Sequence, residues 1–407
     1  MKFDVVQLES TGIDVIDGDR GKNYPYQNEL LSTGFCLFLS AKNVTKSGFS
    51  FSETQFISRR KDALLNNGRL CRGDIVITTR GTVGNVALYS PQVPYENIRI
   101  NSGMLIIRCA NNISNQYLYQ VLRSEWFQKQ IMAVQSGSAQ PQLPKSHFLK
   151  MNIPLPPLPI QEKIASILQL IDDKVMTNNA INNNLEQQAQ ALFKSWFVDF
   201  DPFGGNRPID WITGIVDDLG AEIICGKTPS TKKKEYYGGN TPFITIPDMH
   251  GCVYNVSTER YLSAAGVASQ PKKTLPHNTV CISCIGTAGL VTLVSEKSQS
   301  NQQINSIIPK EGISAYYIYL LMQTLSETIN KLGQSGSTIV NLNKTQFGKI
   351  PVTIPSEQVL CNFDTLCKPL FEMILSNQKE NIKLANLRDT LLPKLMSGEI
   401  DISDIDL

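Results

Sequence analysis

Residues 162–196 read EKIASILQLIDDKVMTNNAINNNLEQQAQALFKSW. Apolar or small residues recur there at alternating spacings of four and three, at Ile164, Leu168, Ile171, Val175, Leu185, Ala189, Leu192 and Trp196. Asn178 and Asn182 occupy the two middle positions of the same series. This spacing is typical of a heptad seam, along which one long helix packs against another. The stretch therefore predicts a coiled-coil helix that needs a partner helix.

A second seam lies near the end of the chain. Its positions are Phe363, Cys367, Leu370, Ile374, Asn377, Asn381, Leu384, Arg388, Leu391 and Leu395. Asparagines again occupy the middle, and a buried asparagine fixes register because any slip leaves its amide against hydrocarbon. An antiparallel pair of helices would place Asn178 against Asn381 and Asn182 against Asn377, although a parallel pair would also match the asparagine layers.

The connection after the first helix favours the antiparallel arrangement. Only residues 198–210 separate that helix from the next globular segment, so this segment must begin near the C-terminal end of the helix. One globular block would then lie at each end of the pair. A seam of about 33 residues is roughly 50 Å long, enough for two blocks to meet one face of a duplex one or more turns apart. Pro393 is predicted to end the second helix, with Leu395 packing just beyond it.

The chain repeats itself. Gln135-Ser-Gly-Ser138 recurs as Gln334-Ser-Gly-Ser337, an offset of 199 residues that also relates the two seams. Earlier in each half the offset is 205, since Gly81-Thr-Val-Gly84 matches Gly286-Thr-Ala-Gly289 and Phe38 matches Phe243. A repeat of this length indicates a duplicated unit, each copy being a globular block followed by a long helix.

The globular blocks have the pattern of mixed α/β (α+β) domains. The β-branched runs 74–79 and 279–283 predict strands, and each Gly-Thr-x-Gly segment predicts the turn that follows. Helices are predicted near residues 115–133 and 314–331. The domain boundaries that follow are a globular domain at 1–156, a central long helix at 157–200, a second globular domain at 211–356 and a C-terminal long helix at 357–400.

The charge is uneven along the chain although the net charge is only +2. Residues 1–156 carry 17 Lys and Arg against 11 Asp and Glu, and residues 211–356 carry 12 against 9. The two helical segments are acidic, with 4 against 7 at 157–210 and 5 against 9 at 357–407. Basic blocks can neutralise phosphates, so a nucleic acid is a candidate ligand, with chance as the alternative.

Patterns for catalysis or cofactor binding are incomplete. Gly220 and Gly226-Lys-Thr228 resemble a phosphate-binding loop but have five intervening residues instead of four. Cys281 and Cys284 form one pair where structural zinc needs four ligands, and buried strand cysteines are the preferred interpretation. We therefore predict no catalytic residue, no metal and no cofactor. Nine unpatterned cysteines and the lack of a long apolar run favour a cytoplasmic protein, with no membrane partner.

Several motifs together resemble one family over essentially the whole chain. They are Ser195-Trp-Phe-Val-Asp-Phe-Asp-Pro202, Leu391-Leu-Pro-Lys-Leu-Met-Ser-Gly-Glu-Ile400, Gly226-Lys-Thr-Pro229 with Tyr236-Tyr-Gly-Gly239, and the two Gly-Thr-x-Gly turns. Their order resembles the specificity subunit of type I restriction-modification enzymes.

The resemblance implies two target-recognition domains, joined by two long antiparallel coiled-coil helices in an internal pseudo-two-fold repeat. Each domain would read one half of a split, asymmetric site in double-stranded DNA. The helices would set the gap and dock two methyltransferase (modification) subunits, and restriction subunits could join. The second domain departs from the first at one place, because Ile285 stands where the first has Arg80.

The candidate DNA contacts are polar or charged residues, which in the first domain lie in loop-like stretches rich in Gly or Asn. In the first domain they are Arg20, Lys22, Lys42, Asn43 and Arg80, and in the second Lys227, Thr228, Lys232, Lys233, Lys234 and Arg260. Any single lysine among them could instead be an ordinary solvated residue. Two other functions stay open at this point: a duplicated coiled-coil adaptor that binds protein rather than DNA, and, against the missing motifs, a stand-alone enzyme.

Overall fold

A computed structural model describes residues 3–135, 141–334 and 341–402 of the chain. Two compact units make it up: one comprises Met1–Asp173 with Leu384–Leu407, and the other Lys174–Lys383. Most of the repeated Gln-Ser-Gly-Ser motif, at 136–138 and 335–337, lies outside the described residues.

Over its described residues, the first unit contains eleven strands and four short α-helices. The strands are β1 (Val5–Gln7), β2 (Asp14–Asp17), β3 (Cys36–Leu39), β4 (Val44–Thr45), β5 (Gly48–Phe49), β6 (Phe56–Ile57), β7 (Ile75–Thr78), β8 (Val86–Leu88), β9 (Ile98–Ile100), β10 (Met104–Arg108) and β11 (Asn152–Pro154). The helices are α1 (Arg59–Leu64), α2 (Asn115–Arg123), α3 (Glu125–Gln135) and α4 (Lys145–Leu149).

A four-stranded antiparallel sheet in the order β2-β10-β7-β8 is central to this unit. A three-stranded sheet, β6-β3-β9, pairs β3 with β9 in parallel. The predicted strand at 74–79 is β7, and all four of its residues are buried. Both faces of β7 are covered, which explains why it is a continuous β-branched run rather than an alternating one.

The second unit repeats this plan. Its strands are β12 (Ile212–Ile215), β13 (Gly220–Cys225), β14 (Tyr237–Ile244), β15 (Tyr254–Asn255), β16 (Arg260–Leu262), β17 (Val280–Ser283), β18 (Val291–Val294), β19 (Gln299–Ser300), β20 (Ile304–Pro309) and β21 (Pro351–Ile354). The helices, with the two long ones that the units share, are α5 (Leu158–Phe197), α6 (Val216–Leu219), α7 (Ala264–Ala268), α8 (Ala315–Thr324), α9 (Ser326–Gly333), α10 (Lys344–Gly348) and α11 (Glu357–Ser397).

Strand pairing shows that the two units have the same topology. The order β13-β20-β17-β18 matches β2-β10-β7-β8, with β15 added as a fifth strand parallel to β18, and β16-β14-β19 matches β6-β3-β9 with the same parallel pair. Phe38 pairs with Arg99 as Phe243 pairs with Gln299, so the register confirms the predicted match of the two phenylalanines. The duplication seen in the sequence is therefore also present in the structure.

The long helices pair antiparallel, through the predicted asparagine partners. In the second unit Asn178 Nδ2 donates to Asn381 Oδ1 at 2.9 Å, and Asn377 Nδ2 donates to Asn182 Oδ1 at 2.9 Å. Asn178 Nδ2 also donates to Glu380, and this hydrogen bond lowers the pKa of the Glu380 carboxyl. The parallel alternative is excluded because the lower-numbered asparagine of α5 meets the higher-numbered one of α11.

Within the first unit a charged cluster joins the same two helices. The carboxylate of Asp172 on α5 accepts from Arg388 of α11 and from Arg123 of α2, both at 3.0 Å. Burial raises the pKa of Asp172, but the two arginines and Gln120 outweigh it and hold that pKa below its usual value. The positive charge of Arg388, which lies in an otherwise apolar seam, is thereby balanced by the carboxylate of Asp172.

The prediction that Pro393 ends the second helix is wrong. Helix α11 runs through both Pro369 and Pro393 and ends at Ser397. A proline in a helix removes one backbone hydrogen bond, but the rest of the ladder remains. Around Pro393, Leu392 and Leu395 are 3% and 2% exposed, so burial of the seam compensates for the lost bond, and Leu395 packs within the helix.

The predicted helices at 115–133 and 314–331 are each two helices. Ser124 lies between α2 and α3 in extended conformation, and its hydroxyl accepts from the Phe127 amide to cap the second helix. In the other unit Leu325 separates α8 from α9. A serine that caps from within an apolar pattern is not visible in helical periodicity.

Candidate nucleic-acid interface

Three loops meet in the first unit, and we call them the first cradle: residues 17–20, 79–84 and 101–103. The Thr79 amide donates to the Gly103 carbonyl at 2.7 Å, and the Gly103 amide donates to Asn101 Oδ1 at 2.9 Å. Gly18 completes the contact, because a β-carbon built on it would lie 2.1 Å from the Asn101 carbonyl oxygen. Only glycine fits there.

Two of the predicted arginines lie in the first cradle. Arg20 Nη2 donates to Asp17 at 3.1 Å and to the Ser102 carbonyl at 3.4 Å, with half of its side chain exposed. Arg80 is exposed, and its guanidinium has no hydrogen-bond or ion-pair partner among the residues that the structure describes. Both arginines line a cavity of about 280 Å³ that Gln142 and Lys145 also line.

The turn beneath Arg80 explains its exposure. Gly81 and Gly84 have φ of 73° and 94°, a left-handed conformation that favours glycine. The Gly84 carbonyl accepts from Gln128 Nε2 of α3, and the Thr79 carbonyl accepts from the Leu143 amide. The turn is therefore fixed on both sides, and Arg80 projects from a rigid support.

The second unit has a matching second cradle, residues 225–228, 284–289 and 301–303. The Cys284 amide donates to the Gln303 carbonyl at 2.8 Å, and the Gln303 amide donates to Asn301 Oδ1 at 3.0 Å. A β-carbon on Gly226 would lie 2.1 Å from the Asn301 carbonyl oxygen, as for Gly18 and Asn101. These contacts make Thr228 the structural counterpart of Arg20, and Ile285 that of Arg80.

At the two positions where the first cradle carries arginines, the second has the uncharged residues Thr228 and Ile285, and Lys227 is its one exposed cation among the described residues. Thr228 Oγ1 donates to Gln302 Oε1 at 2.7 Å, and Gln302 is exposed. Ile285 is half-buried and forms an isolated antiparallel bridge with Asn341. The sequence alone did not indicate Gln302. Its loop is matched to the first cradle through Gly226 and Asn301, and neither residue aligns with Gly18 or Asn101 at the constant offsets of 199 and 205.

The other predicted contacts of the first unit divide into exposed and buried residues. Lys22 is exposed, and Lys42 is exposed and paired with Glu53 at 2.7 Å. Asn43 is only 2% exposed, and its amide donates to the Ser50 and Glu53 carbonyls. Asn43 therefore organises its loop, and its burial argues against a direct contact with DNA.

The predicted lysines of the second unit lie on the loop between β13 and β14. Lys227, Lys232, Lys233 and Lys234 are exposed, and Lys233 Nζ lies 5.0 Å from the ring centroid of Tyr236. Arg260 lies on β16, with its guanidinium carbon 5.5 Å from the ring centroid of Phe243. The loop leads into β14, and β14 pairs with β16. The lysines and Arg260 therefore place positive charge beside the same sheet.

The cysteine pair at 281 and 284 is buried, as interpreted from the sequence. Cys281 lies in β17 with its Sγ 3.4 Å from Ser306 Oγ, and burial raises the pKa of both thiols to about 12. Over residues 3–135, 141–334 and 341–402, no group of three or more His, Cys, Asp or Glu could hold a metal ion. In the same ranges no helix has the length and apolarity needed to cross a bilayer.

Comparison with known proteins gives the family. Residues 11–187 and 208–362 match the model of the type I restriction modification DNA specificity domain. The chain belongs to this specificity family. It is 31% identical to the type I restriction enzyme HindI specificity subunit of Haemophilus influenzae, over 94% of this chain and 98% of that protein.

More distant members of the specificity family agree. The MjaIX specificity subunit of Methanocaldococcus jannaschii is 25% identical, over 82% of this chain and 79% of that protein. The crystal structure of a type I S subunit from M. genitalium matches with a TM-score of 0.56 and 15% identity, covering 97% of this chain and 96% of that one. That likeness shows the fold, with two α/β domains and long helices.

The family motif Ser195–Pro202 has a structural role in the second unit. Trp196 and Phe197 pack on Phe363 with ring centroids 5.8 and 4.8 Å apart, and Phe200 packs on Trp211 at 5.7 Å. These aromatic residues therefore join the end of α5 to the start of α11 and to the segment that enters β12.

Proposed function

We propose that this chain supplies DNA sequence specificity to a type I restriction-modification complex by reading a bipartite, asymmetric target. The target-recognition domains would be residues 1–156 and 211–356, and the long helices residues 157–200 and 357–400. The observation that carries the proposal is that two units with one topology present cradles of different chemistry. A duplicated reader with two different surfaces suits a target with two different halves.

The DNA contacts that we propose lie in or beside the cradles, and all are exposed except the half-buried Thr228. They are Arg20, Lys22, Lys42 and Arg80 in the first unit, and Lys227, Thr228, Lys232, Lys233, Lys234 and Arg260 in the second. Asn43 is left out because its amide is buried and bonded within its own loop. Lysines on a loop suit phosphates, whereas residues projecting from a fixed turn suit base edges.

The catalytic work would belong to partner subunits. We propose that this chain itself is non-catalytic, binds no cofactor and acts in the cytoplasm with methyltransferase and restriction subunits. Its docking surface would be the outer faces of the long helices. Large apolar residues are exposed there, among them Met176, Ile181, Leu366 and Met373 in the second unit. Exposed apolar side chains on a helix commonly mark a protein interface.

The test is the methylation pattern of a host that expresses this chain with its neighbouring methyltransferase. Single-molecule sequencing of host DNA should find one split, asymmetric motif methylated, and deletion of this chain alone should abolish methylation there. The control is a deletion of the methyltransferase, which should give the same loss.

Unchanged methylation after the deletion would contradict the proposal. Binding of the purified complex to duplex DNA then separates the remaining explanations. Absence of duplex binding, with binding to an acidic protein instead, would support the adaptor alternative.

A further inference from the structure

The two cradles are the same construction with different exposed side chains. In each, a glycine lies against the backbone of an asparagine: Gly18 against Asn101, and Gly226 against Asn301. The side-chain oxygen of each asparagine accepts a hydrogen bond from the backbone amide two residues later. The backbone is therefore constant, and the side chains it presents are free to differ. Positions of this kind are suited to reading bases rather than to holding the fold.

In the first cradle the exposed group is a guanidinium. Arg80 stands on a turn held by Gln128 and Leu143, and no described residue binds its guanidinium. Arg20 beside it is oriented by Asp17 and by the Ser102 carbonyl. An arginine fork matches the O6 and N7 acceptors of guanine in the major groove, and two N–H donors can reach both at once. Both arginines also line one cavity of about 280 Å³.

In the second cradle the corresponding side chains are the exposed amide of Gln302 and the half-buried alkyl chain of Ile285. The Thr228 hydroxyl donates to Gln302 Oε1 at 2.7 Å and so orients the amide, while Ile285 occupies the place of Arg80. A glutamine amide can accept from adenine N6 and donate to its N7, and an alkyl group can contact the methyl group of thymine. This pair of side chains has no charge with which to favour guanine.

We infer that the cradles are matched base readers of opposite preference: the first reads a G·C pair through Arg80, and the second an A·T pair through Gln302 and Ile285. The inference rests on the proposed function, and it adds which residues decide specificity and which base class each selects. Arg20 and Thr228 act as positioning residues beside them.

The experiment uses the full complex of this chain with its methyltransferase. The variants are Arg80→Gln and Arg80→Lys in the first cradle and Gln302→Ala in the second. Binding is measured against duplexes that carry each of the four base pairs at every position of the motif. Arg80→Gln should reduce discrimination at one G·C position of one half-site by about 10- to 100-fold. Gln302→Ala should do the same at one A·T position of the other half-site only.

A matched control is Arg60→Gln, an exposed arginine on α1 outside both cradles, which should leave the motif unchanged. Arg80→Lys keeps the charge but not the two-pronged geometry. It should also relax the G·C position, and it serves as the readout if Arg80→Gln fails to assemble.

Other outcomes overturn the inference. Uniform loss of affinity at an unchanged motif, with a weaker salt dependence, would make Arg80 a phosphate contact. Relaxation at an A·T position for Arg80, or at a G·C position for Gln302, would reverse the assignment. If the wild-type complex itself reads no split motif, the proposed function fails, and the variants are not needed to show it.

Discussion

At the scale of single residues, Asn178 and Asn381 show how amides in a seam choose a helix partner. Each makes a hydrogen bond across the seam, and Asn178 is fully buried. Replacing only Asn178 by leucine should cost about 1 to 2 kcal/mol, because the Asn381 amide oxygen loses its donor. The double variant Asn178→Leu/Asn381→Leu should recover much of that loss, since leucines suit the seam.

The measurement is the midpoint of thermal unfolding of the wild type, the two single variants and the double variant. Asn184→Leu, at an exposed position of the same helix, is the control and should change the midpoint little. Strictly additive losses in the double variant would show that the two amides do not act as a pair.

The same residues show what could be read from the sequence. The asparagine partners followed from the heptad spacing together with the short connection at 198–210, which favoured antiparallel helices. Asn43 could not be read in this way, since its burial depends on carbonyls that a loop brings together. The partner of Arg388 was equally hidden, because Asp172 lies on the other long helix and Arg123 on a third.

At the scale of elements, the heptad pattern predicts the helices well and proline rules predict their ends poorly. Helix α11 passes through Pro369 and Pro393 because the packing of its seam outweighs single lost hydrogen bonds. The break at Ser124 was missed for the opposite reason, since one hydroxyl ends a helix whose apolar pattern continues. Long periodic elements are thus predictable, and their interruptions depend on local hydrogen bonds.

The heptad pattern also makes a prediction about the DNA target. One additional heptad with leucine at both seam positions, inserted after Ala180 and after Lys379, keeps the spacing of four and three in both helices. Each helix becomes about 10 Å longer. The tolerated gap between half-sites should increase, by up to about three base pairs at 3.4 Å each, with both half-sites unchanged.

Methylation sequencing of the host reads this gap directly. A single alanine inserted at the same two places is the control, because it turns the following seam by about 100° and should abolish assembly. Changed half-sites with an unchanged gap would contradict a measuring role for the helices.

At the scale of the whole molecule, the duplication could be predicted, but the correspondence of the cradles could not. The offsets of 199 and 205 locate the helices, the turns and Phe38 with Phe243. Gly18 matches Gly226 and Asn101 matches Asn301 at other offsets, and only strand register reveals them. Loops between equivalent strands differ in length, so a comparison at a constant offset cannot align the residues that differ most in function.

Duplication also predicts how many methyltransferase subunits one chain binds. Exposed apolar residues lie on the long helices within each unit: Leu170 and Leu387 in the first, and Met176, Ile181, Leu366 and Met373 in the second. Two units that each expose apolar residues on the long helices should bind two partner subunits. Native mass spectrometry of the co-expressed complex should therefore find two methyltransferase subunits for each copy of this chain.

Substituting Leu366 and Met373 together by aspartate should lower that number, because the charge opposes burial of the helix face. A complex with one methyltransferase subunit before any substitution would mean that only one of the two copies keeps the docking surface.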